Sequence, residues 1–190
     1  MSYKKFPRVQ LIELLRERDD ENARLTQEVA KLRLDTMTGV LRRDVFEPIA
    51  RREIEKALRE GVPAFVFFFD LDFLKWVNDQ VSTEAGDALI IALAKAVRSY
   101  DLVCRWEGDG FVILITGPKF TRRAAFKLIR RVREEFAQRL DELRKQYPAI
   151  RGSVAVGFTW TRQPRDLQDM VNTAFVRVKE DKARRGVARR

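Results

Sequence analysis

The stretch that decides the fold is Leu102-Val103-Cys104-Arg105-Trp106-Glu107-Gly108-Asp109-Gly110-Phe111-Val112-Ile113-Leu114-Ile115-Thr116. Two apolar runs flank Glu107-Gly108-Asp109-Gly110, and an Asp-Gly pair in that setting is a strong hairpin signal, because both residues tolerate the backbone of a tight reversal. Antiparallel strands are therefore predicted over 102–106 and 111–116. Working upstream, residues 62–71 are almost continuously apolar, which implies a strand covered on both faces and central in its sheet. Helical periodicity occupies 43–60, closed by Gly61, then 73–81, then 86–100 with Leu89, Ile90, Leu93, Ala94 and Val97 on one face. Downstream follow a long basic helix over 121–146, a strand over 152–161 and a last helix over 167–182.

The order strand, helices, strand, strand, helix, strand, helix is the split βαβ arrangement of α+β, ferredoxin-like domains. An antiparallel central sheet backed by helices on one face is the expectation. Residues 9–34 precede it with helical period. Leu11, Leu15, Leu25, Val29 and Leu32 fall on a and d positions, and Arg18 and Asn22 fill the slots between. A short coiled coil with a polar middle, and a homodimer through this N-terminal helix, follow from that pattern; packing back on the body is the other solution. The cap and turn cluster Asp35-Thr36-Met37-Thr38-Gly39 sets the boundary, giving an N-terminal helix over 1–34, a domain over 35–182 and a basic tail over 183–190.

The chain has 190 residues, one Cys, no His and a formal net charge of +10. A disulfide framework, a zinc site and a His-based triad are excluded, so any chemistry falls to carboxylates, Lys, Arg and backbone. No signal peptide is visible, and the apolar run Val62 to Phe69 is far too short to cross a bilayer, so a cytoplasmic protein is expected. The charge excess is local: residues 122–145 carry nine basic and four acidic side chains, and 177–190 carry seven and two. Nucleic acid, a membrane surface or a phosphorylated ligand could meet such segments, and so could solvent alone. No basic motif interleaved with aromatics supports nucleic acid. Lys182, Arg184, Arg185, Arg189 and Arg190 read as a disordered tail.

In this topology the end of the first strand and the hairpin turn lie side by side, which brings Asp70 and Asp72 near Asp109. Converging carboxylates suit Mg²⁺ beside substrate phosphates, while a strand-end cap and a turn residue explain the same aspartates without function. The spacing of three segments carries more. Asp35-Thr36-Met37-Thr38-Gly39-Val40, then Asp70-Leu71-Asp72 with Lys75, Asn78-Asp79 and Gly86-Asp87, then Arg105 to Phe111, resemble the conserved blocks of GGDEF domains, the diguanylate cyclases. Ala155-Val156-Gly157-Phe158 and Ala174 to Lys179 resemble that family's last strand and last helix.

The resemblance implies a domain that condenses two GTP into cyclic di-GMP, each subunit of a dimer presenting one nucleotide. By the same resemblance Asp70 and the Leu71 carbonyl would be metal ligands, together with Asp109, the first acid of the motif and its catalytic position. Asn78 and Asp87 would bind guanine, and Lys75 and Lys179 would sit near the phosphates. The departures are as telling. Glu107-Gly108-Asp109-Gly110-Phe111 stands where the family has Gly-Gly-Asp/Glu-Glu-Phe, so the second acid is missing and a glutamate replaces a turn glycine. The family's Gly-His pair is Ser82-Thr83, its Phe is Leu74, and the arginine expected four residues past Lys179 is Ala183. Each lost electrostatic contact could cost about two to four orders of magnitude in rate.

One block is intact. Arg98-Ser99-Tyr100-Asp101 stands where the family carries its RxxD product-inhibition site, and a second arginine from the following helix maps to Arg131, or to Arg130. An arginine fork meets phosphate or the guanine Hoogsteen edge, and a carboxylate accepts from guanine N–H groups. Three functions remain in play. They are an inactive cyclic di-GMP receptor that needs no cofactor and acts through a protein partner, a residual Mg²⁺-dependent cyclase under product inhibition, and a dimerising scaffold without nucleotide.

Overall fold

The computed structural model describes residues 8–97 and 102–187. The chain divides into two units, Met1–Leu34 and Asp35–Arg190. The first contains α1 (Arg8–Leu32). Its Ile12, Leu14 and Leu15 are exposed. The heptad side chains of Leu11, Leu25, Val29 and Leu32 lie outside the described residues.

The second unit runs β1 (Leu41–Arg42), α2 (Arg43–Arg59), β2 (Ala64–Asp72), α3 (Leu74–Gln80), α4 (Thr83–Val97), β3 (Leu102–Glu107), β4 (Gly110–Thr116), α5 (Arg122–Gln146), β5 (Ser153–Thr161) and α6 (Leu167–Arg184). The strands form one sheet in the order β1-β3-β4-β2-β5. β2, the apolar run, is indeed central, antiparallel to both β4 and β5. Only the short β1 pairs parallel, with β3, so the sheet is mixed.

β2 feeds two cores, because alternate side chains point to opposite faces. Phe65, Phe67 and Phe69 join α3, α4 and α5 in one cluster. Val66 and Phe68 join α2 and α6 in the other. Helices therefore cover both faces, not one. Each fully buried phenylalanine contributes about 1.5–3 kcal/mol by leaving water, and Phe65, Phe67 and Phe69 are all fully buried.

Two local features shape the edge where the aspartates lie. A Cβ added at Gly157 would fall 2.0 Å from the Ala174 carbonyl oxygen, so α6 rides directly on the backbone of β5. The open side of β5 is then sealed by charged side chains: Arg133 donates to the Val154 carbonyl, the Val156 N–H donates to Asp181, and Arg177 donates to the Phe158 carbonyl. Edge strands left bare invite pairing with other chains, and this one is covered. Second, α6 continues past Lys182 through Arg184. It ends in a glycine cap in which Gly186 has φ 68°, the Val187 N–H bonds the Lys182 carbonyl at 3.0 Å and the Gly186 N–H bonds the Ala183 carbonyl at 3.1 Å. That pairing is a Schellman closure, and it fixes the last turn. Residues 182–185 are thus an ordered helix end.

Candidate functional site

The hairpin is held from below by Arg105. Its Nε donates to the Gly108 carbonyl at 2.6 Å, and its Nη1 reaches the Asp35 carboxylate at 3.3 Å. Asp35 in turn accepts from the Thr38 N–H and hydroxyl. Burial raises the Asp35 pKa, but the Thr38 hydrogen bonds and the Arg105 charge outweigh it and hold the carboxyl below its ordinary value. The Asp-Thr-Met-Thr-Gly block is therefore a buttress for the turn, a role for Arg105 that its sequence position alone does not announce.

The turn falls within the Glu107 to Gly110 connection. Gly110 already belongs to β4 and pairs with Glu107, leaving Gly108-Asp109 at the tip. Gly108 takes φ 53°, the left-handed value that a two-residue hairpin turn asks of its first central residue. Gly110 is demanded by packing instead. A Cβ there would lie 2.7 Å from Cζ of Phe68 and 2.9 Å from its Cε1, so the ring fills the space a side chain at 110 would enter.

At the end of β2, Asp70, Asp72 and the Leu71 carbonyl meet the last turn of α6. Lys182 Nζ lies 2.5 Å from Asp70 Oδ2, 3.1 Å from the Leu71 oxygen and 3.5 Å from Asp72 Oδ1. Arg185 donates to Asp72 Oδ2 at 2.8 Å, and the Ser153 hydroxyl donates to the same oxygen. Asp181 gathers Arg133, Arg184, Arg185 and the Val156 N–H. Burial pushes the Asp181 pKa up, yet the hydrogen bonds from Arg184 and Val156 and the charges of Arg133 and Arg185 prevail and lower it. Asp109 behaves oppositely. Burial first, then the Asp70 charge, push it up to about 6, against the downward pull of backbone hydrogen bonds and of Lys182.

The remaining candidate residues, and the aromatic side chains around them, distribute as follows. Asn78 and Asp87 share a corner: a Cβ on Gly86 would fall 1.8 Å from Asn78 Oδ1, so the amide lies on the backbone next to Asp87. Lys75 is exposed on α3. Lys179 Nζ stands 4.7 Å over the Phe175 ring, and Lys182, one turn on, is the lysine that reaches the aspartates. Arg130 and Arg131 pair with Glu134 and Glu135 along α5. Arg98 and Asp101 lie outside the described residues. Trp106 is buried against Phe46 under the Arg43 guanidinium, Trp76 packs under Arg151, and Cys104 is buried, its thiol pushed up by burial. Phe73, which enters α3, has φ 70°, a rare conformation for a bulky residue and one that clusters at functional sites.

A Mg²⁺ ion needs oxygen donors that are free to face it. Here Asp70 and the Leu71 carbonyl both face an ammonium, Asp72 Oδ2 is taken by Ser153 and Arg185 while its buried Oδ1, without a hydrogen bond, faces the same ammonium at 3.5 Å, and the ring of Phe68 closes position 110. Among the described residues no three acidic, Cys or His side chains form a metal cradle. As arranged, the donors do not fit a divalent cation.

Comparison with known proteins places this geometry. Residues 32–185 match the family described as diguanylate cyclase, GGDEF domain. Diguanylate cyclase DosC of Escherichia coli K12 is 38% identical over 111 residues, covering 56% of this chain and 23% of that protein. The chain thus spans under a quarter of the length of such curated relatives. Diguanylate cyclase SiaD of Pseudomonas aeruginosa, solved with its activator SiaC, superposes with a TM-score of 0.70 at 26% identity over 93% of this chain and 69% of that one. The coiled coil and GGDEF domain of DgcB from Caulobacter crescentus, solved with c-di-GMP, gives 0.76 at 18% identity over 94% of each chain, a likeness of fold. With the family match covering nearly the whole second unit, the chain belongs to the diguanylate cyclase, GGDEF domain family.

Proposed function

We propose that this chain is a catalytically disabled GGDEF domain that receives cyclic di-GMP through Arg98, Asp101 and Arg131 or Arg130, and passes the signal to a protein partner. The observation that carries the loss of catalysis is at Gly110. The second acid of the motif is absent, and the space it would need is filled by the Phe68 ring, 2.7 Å from where a Cβ would begin. The receptor half rests on the tetrapeptide's position. In the sequence, residues 98–101 fall between α4 and β3. α5, which bears both arginines, shares a core with α4. DgcB was solved with c-di-GMP, and SiaD with a protein activator; both fit this reading by analogy. Dimerisation through α1, with its exposed leucines, belongs to the same proposal.

Calorimetric titration with cyclic di-GMP tests it. The wild type binds, and Arg98→Ala weakens binding at least about tenfold, the loss of one charge-assisted fork. An absence of heat from the wild type, or equal affinity in the variant, leaves a scaffold. A cyclase reading has one observation in its favour, the retained neighbours Asp70 and Asp109. Sustained conversion of GTP to cyclic di-GMP with Mg²⁺, abolished by Asp70→Ala, would establish it instead.

A further inference from the structure

Three oxygens converge on one nitrogen at the end of β2. A carboxylate oxygen of Asp70, a backbone carbonyl of Leu71 and a carboxylate oxygen of Asp72 stand 2.5, 3.1 and 3.5 Å from Lys182 Nζ. Two carboxylates and a carbonyl are the donors that hard divalent cations select. The occupant here is an ammonium from the chain itself. Nor does it arrive by chance of a floppy side chain. Its turn of α6 is closed by the Gly186 cap, and the preceding turns, Ala174 to Val178, are seated on the backbone at Gly157. The turn is also bolted by Arg185, which reaches Asp72 at 2.8 Å and Asp181 at 3.0 Å.

From this geometry we infer that Lys182 is a resident cation, standing where a divalent ion would bind and making the cleft metal-independent. A divalent ion arriving at Asp70 would have to evict the ammonium from both Asp70 and the Leu71 carbonyl. The displaced ammonium would then remain beside the ion on a turn that Arg185 keeps in place, and the two like charges would repel. A site so filled presents one positive charge where a metal presents two. The inference does not draw on Arg98 or Asp101 and stands apart from cyclic di-GMP reception.

Manganese titration of the full chain decides it. The wild type shows no saturable site tighter than about 1 mM, the weak end for carboxylate sites. Lys182→Gln, which removes the charge on a side chain one atom shorter, gains a saturable site at least about tenfold tighter, and Asp70→Asn in that background abolishes the gain. Melting of the wild type alone, with and without manganese, gives an independent reading, because a metal bound only by the folded state raises Tm. Tm is unchanged if the ammonium holds the site. A manganese-dependent rise in wild-type Tm, equal binding by wild type and Lys182→Gln, or no binding by a folded Lys182→Gln protein, overturns the inference. Cyclic di-GMP affinity of the wild type, measured in EDTA, is unaffected by any of these outcomes, so failure here is distinguishable from failure of the receptor reading.

Discussion

Two cationic helical regions of this domain have opposite fates. On the last turn of α6, Arg185 is 25% exposed and its partner Asp72 is fully buried. On α5, Arg130 and Glu134 are 74% and 62% exposed and stand 3.6 Å apart. In the sequence the two regions contribute the same excess of positive charge. Burial separates them: a carboxylate withdrawn from water depends on its partners, whereas an exposed pair exchanges water for a partner at nearly equal free energy. The last-turn cations of α6 are structural members of the acid cleft, as is Arg133 of α5 through Asp181, whereas the Arg130–Glu134 pair of α5 stands in solvent.

The contrast breaks first at Asp72. Replacing it with Ala leaves the Arg185 guanidinium and the Ser153 hydroxyl without the oxygen they share. Removing one partner of a buried pair costs about 3–5 kcal/mol. Urea unfolding of Asp72→Ala should show a loss of that size, with the slope unchanged. A loss under 1 kcal/mol would put the α6 clamp on a level with the surface pairs of α5 and erase the distinction.

A second, smaller effect sharpens the boundary of the cleft at the hairpin. Gly110→Ala drives a methyl into Phe68 and should destabilise by about 1–3 kcal/mol, the usual range for overpacking. Phe68→Leu shortens the side chain and opens the space, so in the double variant the alanine should cost less than it does alone. Additivity of the two changes, seen in a double-mutant cycle, would mean that backbone conformation rather than the ring selects glycine.

How much of this was legible beforehand follows the same division. Alternation and continuity of apolar residues disclosed β2, the hairpin and five helices of the second unit, because those patterns are local. The Asp-Gly pair located the hairpin but did not say which glycine turns it: Gly110 answers to Phe68, a residue on another strand, and the turn glycine is Gly108. The coverage of both sheet faces was implicit in the unbroken apolar run of β2. Lys182 and Arg185 were the hardest to see. Composition gives a disordered basic tail and a buried ionic clamp the same appearance. The available signals were the three-residue step from Lys182 to Arg185, the neighbouring Asp181 and the glycine at 186.

The smallest expected effect lies on α5, and its smallness is the point. Arg131 Nε is 3.1 Å from Glu135, and Arg130 is mostly solvated, so either alanine substitution should shift stability by less than about 0.5 kcal/mol. If Arg131 is the second arginine of the receptor site, Arg131→Ala weakens cyclic di-GMP at least about tenfold while Tm stays within a degree or two. Arg130→Ala is the internal control, and a loss confined to Arg130→Ala moves the role to that residue. Unchanged affinity in both would remove α5 from the site and leave its charge to solvent. A large drop in Tm in either variant would be more damaging, because α5 would then resemble α6, its arginines needed by the fold and unavailable to a ligand.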